Sequence, residues 1–284
     1  YIEKCAGTTI APPRQPFASL SEMNQWLNDH IKCHCPPGLD GYLLRLEAAF
    51  AQAAADNVRV LALSYSKDEV AALGGMEKFI RQMNYLQQKF APDTDFFPDL
   101  TLGYTKDELD VLDELLSYKW FNAIDIVNYS NTYSIKELKE ICRKAKAQGM
   151  VLKAHLGEFG SPDELMLYAE ELDLDEIQHG VAAAKSPQIM RWLARHNIKL
   201  NVCPTSNIML QVCDSYATHP IRLLYDYEIP VTINTDDLLI FNSSLSEEYL
   251  HLFNCGLMKE EELYEICQNG LNHKYPKQTK EIPE

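Results

Sequence analysis

The sequence predicts an α/β protein of the (β/α)8 TIM-barrel class, and three observations carry that prediction. Short apolar runs alternate with helix-like runs from about residue 58 to residue 236. Strand, helix, strand at that rhythm predicts parallel pairing with right-handed crossovers. Polar groups gather at the ends of four of the apolar runs, where a barrel of this class carries its chemistry. The 284 residues also suit such a barrel, for which about 250 is common.

Seven strands are read from the apolar runs, near Val58 to Ser64, Asp99 to Gly103, Ala123 to Asn128, Val151 to His155, Glu176 to His179, Lys199 to Val202 and Val231 to Asn234. The helices between them carry start signals. Thr105 is followed by Glu108, Ser134 by Glu137 and Ser161 by Glu164; each pair reads as a capping box, in which the hydroxyl satisfies a free N–H and the Glu reaches back. Pro162 and Pro187 fall in first turns, where a missing N–H costs nothing. Gly149 closes the helix from Ser134, because it tolerates positive φ.

Residues 1–57 offer helices, from Ser19 to about Cys33 and from Asp40 to Asp56, and no good apolar strand. The first strand of the barrel is therefore expected before Tyr1, outside the sequence. The helices that would follow it are expected to lie over the barrel mouth as a lid. Beyond Asp237, Ser246 to Leu252 and Lys259 to Leu271 read as amphipathic helices, with Glu260, Glu261 and Glu262 suited to a first helical turn. The expected organisation is one domain over 1–284: lid-like helices over 1–57, seven βα units over 58–237 and C-terminal helices over 238–284.

The composition, 46% hydrophobic and 24% charged, supports a substantial core and argues against general disorder. A formal net charge of -15 disfavours nucleic acid and anionic membranes as partners. No apolar run reaches the roughly 18 residues of a membrane span, and Tyr1-Ile2-Glu3-Lys4-Cys5 does not read as a secretion signal. The eight cysteines are scattered. Cys142, Cys203, Cys255 and Cys267 sit in apolar runs and read as buried, reduced thiols of a cytoplasmic protein. Cys33-His34-Cys35 has no second ligand pair at zinc-finger spacing.

The strongest signal is Asn234-Thr235-Asp236-Asp237, which follows the last strand. Adjacent carboxylates repel, and a fold keeps such a pair mainly where a cation or a proton transfer uses it; a helix cap is the plainer alternative. Val151-Leu152-Lys153-Ala154-His155-Leu156-Gly157-Glu158, Glu176-Ile177-Gln178-His179-Gly180 and Lys199 to Asn207 end in chemistry in the same way. His155 and Asp236 are zinc-type ligands. Glu158 is placed to pass a proton, His179 to orient or deprotonate a water, and Asp237 to accept a hydrogen bond from a substrate.

The order His-Leu-Gly-Glu, His-Gly, Cys-Pro-Thr-Ser-Asn, Asn-Thr-Asp-Asp, with His219-Pro220 before the last strand and Glu247-Glu248-Tyr249 after it, resembles the adenosine deaminase family of the amidohydrolase superfamily. The resemblance runs from about residue 40 to 271. It implies a zinc-dependent hydrolytic deaminase acting on a small-molecule purine. It makes His155 and Asp236 metal ligands, Glu158 the acid that protonates the purine ring nitrogen, His179 the group that handles the attacking water, and Asp237 a purine contact. It implies one Zn2+ per chain, with two further His ligands in a His-x-His pair. None of His30, His34, His196, His219, His251 or His273 lies in such a pair, so those ligands are expected upstream of Tyr1.

Two departures bear on the substrate and the strand ends. Asn128 stands where members that act on adenosine carry a Gly against the purine, so Asn128 is a candidate substrate contact. Leu238 replaces a Pro and Leu156 a small residue, changes the strand ends can absorb. Two other readings stay open: an amidohydrolase acting on a different amino-heterocycle, and a non-catalytic purine-binding protein without the His-x-His ligands. The cytidine-type zinc fold is excluded, because it needs His-x-Glu and Pro-Cys-x-x-Cys. No Gly-x-Ser-x-Gly elbow, His-Glu-x-x-His helix or phosphate-cradling Gly loop is present.

Overall fold

The computed structural model describes residues 1–127, 129–273 and 275. Three helices come first, α1 (Ile2–Ala6), α2 (Leu20–His30) and α3 (Gly38–Ala55). Strand β1 (Val60–Tyr65) leads through α4 (Lys67–Ala72) and α5 (Met76–Phe90) to β2 (Asp95–Leu102). There follow α6 (Glu108–Ser117), β3 (Ala123–Ile126), α7 (Tyr129–Thr132), α8 (Ile135–Ala147), β4 (Val151–Leu156), α9 (Pro162–Glu171) and β5 (Glu176–His179). The chain continues through α10 (Pro187–His196), β6 (Lys199–Val202), α11 (Pro204–Met209), α12 (Ile221–Asp226) and β7 (Val231–Ile233), then α13 (Leu238–Phe241), α14 (Leu245–Asn254) and α15 (Glu260–Leu271).

The seven strands form one parallel sheet in the order β1-β2-β3-β4-β5-β6-β7. Each strand pairs with the next in sequence, and a helical crossover returns the chain each time, as a curled α/β barrel sheet requires. Register is regular; Lys153 sits opposite Glu176 and His155 opposite Gln178. The α/β barrel architecture read from the alternating runs is therefore observed. β2 begins at Asp95 rather than Asp99, because Asp95 to Pro98 pair with Val60 to Leu63 of β1.

A period of two along the strands divides their side chains between two faces. The outer face is apolar. Leu100, Leu102, Ile124, Ile126, Leu152, Ala154, Ile177, Leu200, Val202 and Val231 are sealed under the helices, and each large side chain contributes about 1.5–3 kcal/mol of burial. Helix α5 supplies Phe79, Met83 and Leu86 to the same core. The inner face is polar. Lys153 Nζ lies 2.7 Å from Asp99 Oδ2, Lys199 Nζ 3.1 Å from Glu176 Oε1, and Asn201 Nδ2 donates to Glu176 Oε2 at 2.9 Å. A buried Lys stays charged only when paired in this way.

The helix starts at Ser134 and Ser161 are capped by their hydroxyls, with a full box at Ser134–Glu137. The box expected at Thr105 forms only in half: Glu108 reaches back to accept from the Thr105 N–H at 3.4 Å, but no side chain caps the start of the helix. Helix α6 begins at Glu108, and the Glu108 carboxylate turns inward to accept from the N–H groups of Gly103 at 2.7 Å and Tyr104 at 3.1 Å and from the Tyr133 hydroxyl at 2.5 Å. It clamps the turn after β2 instead. Gly103 is required there: its φ is 130°, and a Cβ would stand 1.8 Å from the Val127 carbonyl oxygen. Cys142 and Cys203 are buried as read, but Cys255 is exposed and Cys267 only partly covered.

Helix α2 lies on the side of the sheet where the strands end. Its Met23 packs with Phe17, just before the helix, and with Leu210, Ile240 and Phe241, which belong to segments that follow β6 and β7. The Phe17 N–H donates to the Met209 carbonyl at 2.7 Å, and Gln211 Nε2 donates to the Phe17 carbonyl at 2.7 Å. No described helix is long and apolar enough to cross a membrane.

Candidate active site

Four strand ends build the site. β4 carries His155, whose Nδ1 lies 3.1 Å from Asp125 Oδ1 on β3. Asp125 Oδ2 accepts from Ser64 Oγ on β1 at 3.0 Å and from Gln178 Nε2 on β5 at 3.3 Å. The buried Asp125 carboxylate thus ties four strands together. Burial alone would raise it, but the adjacent His155 and Lys153 outweigh burial and hold it down at about 2. His155 is pushed up to about 9 for the matching reason: burial pulls it down, and Asp125 more than compensates. Its Nδ1 is committed to Asp125, so Nε2 is the nitrogen left for a ligand. A cation binding there must displace a proton.

His179 ends β5 with its ring centroid 5.5 Å from that of His155. It holds a left-handed backbone, φ 64°, and Asp236 beyond β7 does the same at φ 53°. Non-glycine residues seldom adopt that region, and such strain concentrates where side chains must be aimed. Burial draws His179 down to about 4, so its ring is neutral at pH 7. Glu158 Oε2 sits 3.7 Å from His179 Nε2. Burial, then the nearby Asp236 charge, raises Glu158 to about 8. The contact therefore joins a carboxylic acid to a neutral imidazole at pH 7. Glu158 Oε1 is buried with no hydrogen-bond partner among the described residues, an acceptor that a bound molecule could satisfy.

Asp236 Oδ2 accepts from Ser206 Oγ of α11 at 2.6 Å. Ligand atoms of His179, Cys203 and Asp236 all lie within 4.8 Å of one another. Burial pushes the Cys203 thiol up, which keeps it protonated until a metal displaces the proton. Asp237 starts α13 without forming a side-chain cap. Asp237 stays exposed as a residue; crowding around its carboxyl, then the Asp236 charge beside it, raises it to about 7. Asn207 Nδ2 lies 3.2 Å from His179 Nδ1, and Glu248 Oε2 accepts from the Thr205 N–H at 3.0 Å, which anchors the first turn of α11.

The structure thus brings His155, Glu158, His179 and Asp236 together, with Asp237 next in the chain. Asn128 lies outside the described residues. The sequence reading gave no role to Asp125, Ser206 or Asn207. One signal for Asp125 was present: a lone carboxylate inside the apolar run Ala123-Ile124-Asp125-Ile126. Ser206 and Asn207 stand in the Cys-Pro-Thr-Ser-Asn loop, whose direction only the fold reveals.

A parallel α/β barrel sheet with its polar groups at the strand ends is the arrangement of a barrel enzyme. The adenosine deaminase family model matches residues 122–281. The chain belongs to the adenosine deaminase family, hydrolases that act on C–N bonds. It is 27% identical to a provisional adenosine/adenine deaminase of Treponema pallidum, over 90% of this chain and 86% of that one. It spans about half the length of other curated relatives it matches. Among solved structures, an adenine deaminase of Arthrobacter aurescens superposes with a TM-score of 0.73 at 18% identity, covering 95% of this chain and 86% of that one. An amidohydrolase of Burkhoderia ambifaria with bound Zn gives 0.72 at 20% identity, covering 95% and 79%. These two likenesses are of fold.

Proposed function

We propose that the protein is a zinc-dependent hydrolytic deaminase of an adenine-type purine or purine nucleoside, releasing ammonia. One observation carries the reading: Glu158 lies 3.7 Å from His179 with a buried oxygen that has no partner among the described residues, and burial with the nearby Asp236 charge raises its carboxyl to about 8. An acid so placed suits proton delivery to a ring nitrogen as the ring carbon next to it is attacked.

The donor set fits a zinc-type ion. His155 offers Nε2, Asp236 has one oxygen not held by Ser206, and the Cys203 thiol is within reach of Asp236. The family resemblance adds a His-x-His pair, which the proposal puts upstream of Tyr1. When bound, the metal supplies a water acidic enough to attack at neutral pH. The chain's own residues do the rest. Asp125 orients His155, Ser206 orients Asp236, His179 handles the attacking water, Glu158 protonates the purine ring, and Asp237 accepts from the purine. Asn128 is proposed as a further purine contact.

The groups that raise Glu158 and Asp237 are carboxylates and burial, with imidazole as the only counterweight. A neutral heterocycle suits that surrounding better than a phosphate does. Helix α2 is proposed to cover the substrate, and the scattered free thiols support a cytoplasmic location.

The test is ammonia release from adenine, adenosine, adenosine monophosphate and N6-methylated analogues by the intact zinc-supplemented protein. Release from a purine supports the reading. Release only from another amino-heterocycle moves the protein to a different amidohydrolase activity. Purine binding without release from any compound leaves a non-catalytic binder.

A further inference from the structure

His219 was marked by the sequence but has no part in the chemistry above, and it is the buried end of a directed hydrogen-bond chain. The Ile221 N–H donates to His219 Nδ1 at 3.1 Å. A backbone N–H can only donate, so Nδ1 is the bare nitrogen of that ring. Burial holds His219 down at about 4, so the ring is neutral and its one proton sits on Nε2. That N–H donates to Asn207 Oδ1 at 3.3 Å. With the amide oxygen so placed, Asn207 Nδ2 faces His179 Nδ1 at 3.2 Å. An amide nitrogen can only donate, so His179 Nδ1 accepts. The whole chain is buried, Asn207 completely, so water cannot offer alternative partners. Side-chain amide and imidazole directions are often ambiguous; here one backbone group fixes all of them.

We propose that His219 and Asn207 are positioning residues that lock His179 in the tautomer with its proton on Nε2. His179 then presents an N–H, not a lone pair, to the reacting groups beside Glu158. It acts as a hydrogen-bond donor to the attacking oxygen as charge develops there, and the role of general base is closed to it. The catalytic meaning rests on the deaminase reading above; the tautomer does not.

The experiment is two-bond 1H–15N correlation spectroscopy of the intact, histidine-labelled protein, which distinguishes the two neutral imidazole tautomers. The expected spectrum shows His179 protonated on Nε2 and His219 likewise. Asn207→Asp replaces the donor with an acceptor on both sides and should move the His179 proton to Nδ1. That change should lower kcat about 100-fold with KM little altered, as for loss of one preorganised donor. His219→Leu frees the Asn207 amide to turn, and the His179 signal should split between tautomers. His219→Gln still offers an N–H to Asn207 and should restore the wild-type pattern and most of the kcat lost in His219→Leu. A wild-type His179 protonated on Nδ1, or an Nε2 proton that persists in Asn207→Asp, overturns the proposal. If Asn207→Asp does not fold, the wild-type spectrum and the His219 pair still decide. The expected tautomers in a protein that releases no ammonia would sink the deaminase reading and leave the lock standing.

Discussion

Asp125 Oδ1 lies 3.1 Å from His155 Nδ1, and that contact decides which nitrogen of His155 is left for a ligand. The carboxylate itself cannot turn, because Ser64 and Gln178 hold its other oxygen. Carboxylate, imidazole and metal in line is a recurrent way to orient a ligand and strengthen it. Asp125→Asn keeps the shape but loses the charge. It should weaken zinc affinity about 10- to 100-fold, read by competition with a chromophoric chelator. Unchanged affinity would mean that Asp125 serves the sheet alone.

Glu158 must hold a proton to act as the acid. Burial and Asp236 raise it to about 8, while a cation at Asp236 draws it back down. A raised carboxyl is protonated below its pKa, so activity should fall as pH rises through a value at or below about 8. Glu158→Gln should lower kcat by about 10²–10⁴-fold and abolish that alkaline limb. A pH–rate profile that keeps the limb in Glu158→Gln assigns the titration to another group, with Asp237 the first candidate.

The inner face of the sheet has its own exposure to mutation. Lys153 is 1% exposed and lies between Asp99 at 2.7 Å and Glu176 at 3.9 Å. Lys153→Met leaves the buried Asp99 carboxylate without its cation, while Glu176 keeps Lys199; the change should cost about 3–5 kcal/mol in chemical denaturation. A cost below about 1 kcal/mol would show that the carboxylate takes up a proton or water instead.

Gly103→Ala tests the turn that Glu108 clamps. The added Cβ would meet the Val127 carbonyl at a distance that backbone must yield to relieve. A loss of at least about 1–2 kcal/mol is expected from the backbone conformation alone. A neutral substitution would contradict the tight passage between β2 and the segment after β3.

If α2 covers the substrate, loosening its seat should alter binding before stability. Phe17→Ala and Met23→Ala remove side chains that pack on Leu210, Ile240 and Phe241. The expected result is a raised KM for the purine with the melting temperature nearly unchanged. Equal kinetics in both variants would remove the lid role.

Much of this was legible before the coordinates. The strands at Glu176–His179 and Lys199–Val202 were read to the residue, because charged or polar positions alternate there with apolar ones. Ser134–Glu137 announced its helix by side-chain chemistry local to the chain. Glu108 misled, because its partners are N–H groups of a turn and the hydroxyl of Tyr133, which lies between α7 and α8. Helix α4 went unnamed although Ser66 and Glu69 close a capping box of the same form as that at Ser134, and α5 opens on Gly75 with no side-chain cap to announce it. The site residues at strand ends stood out singly. The roles of their supports did not: Asp125, Ser206, Asn207 and His219 act across strands, and only the sheet order brings them to His155, Asp236 and His179.

The central claim is that Glu158 delivers a proton while a metal-assisted water displaces ammonia from a purine. The most direct measurement is steady-state ammonia release from adenine and adenosine by the intact protein, zinc-loaded, chelator-stripped and as Glu158→Gln. The account predicts release with zinc, loss on stripping that zinc reverses, and at least about 100-fold lower kcat in Glu158→Gln. Release that survives both stripping and Glu158→Gln, or no release from zinc-loaded protein that binds the purine, would contradict it.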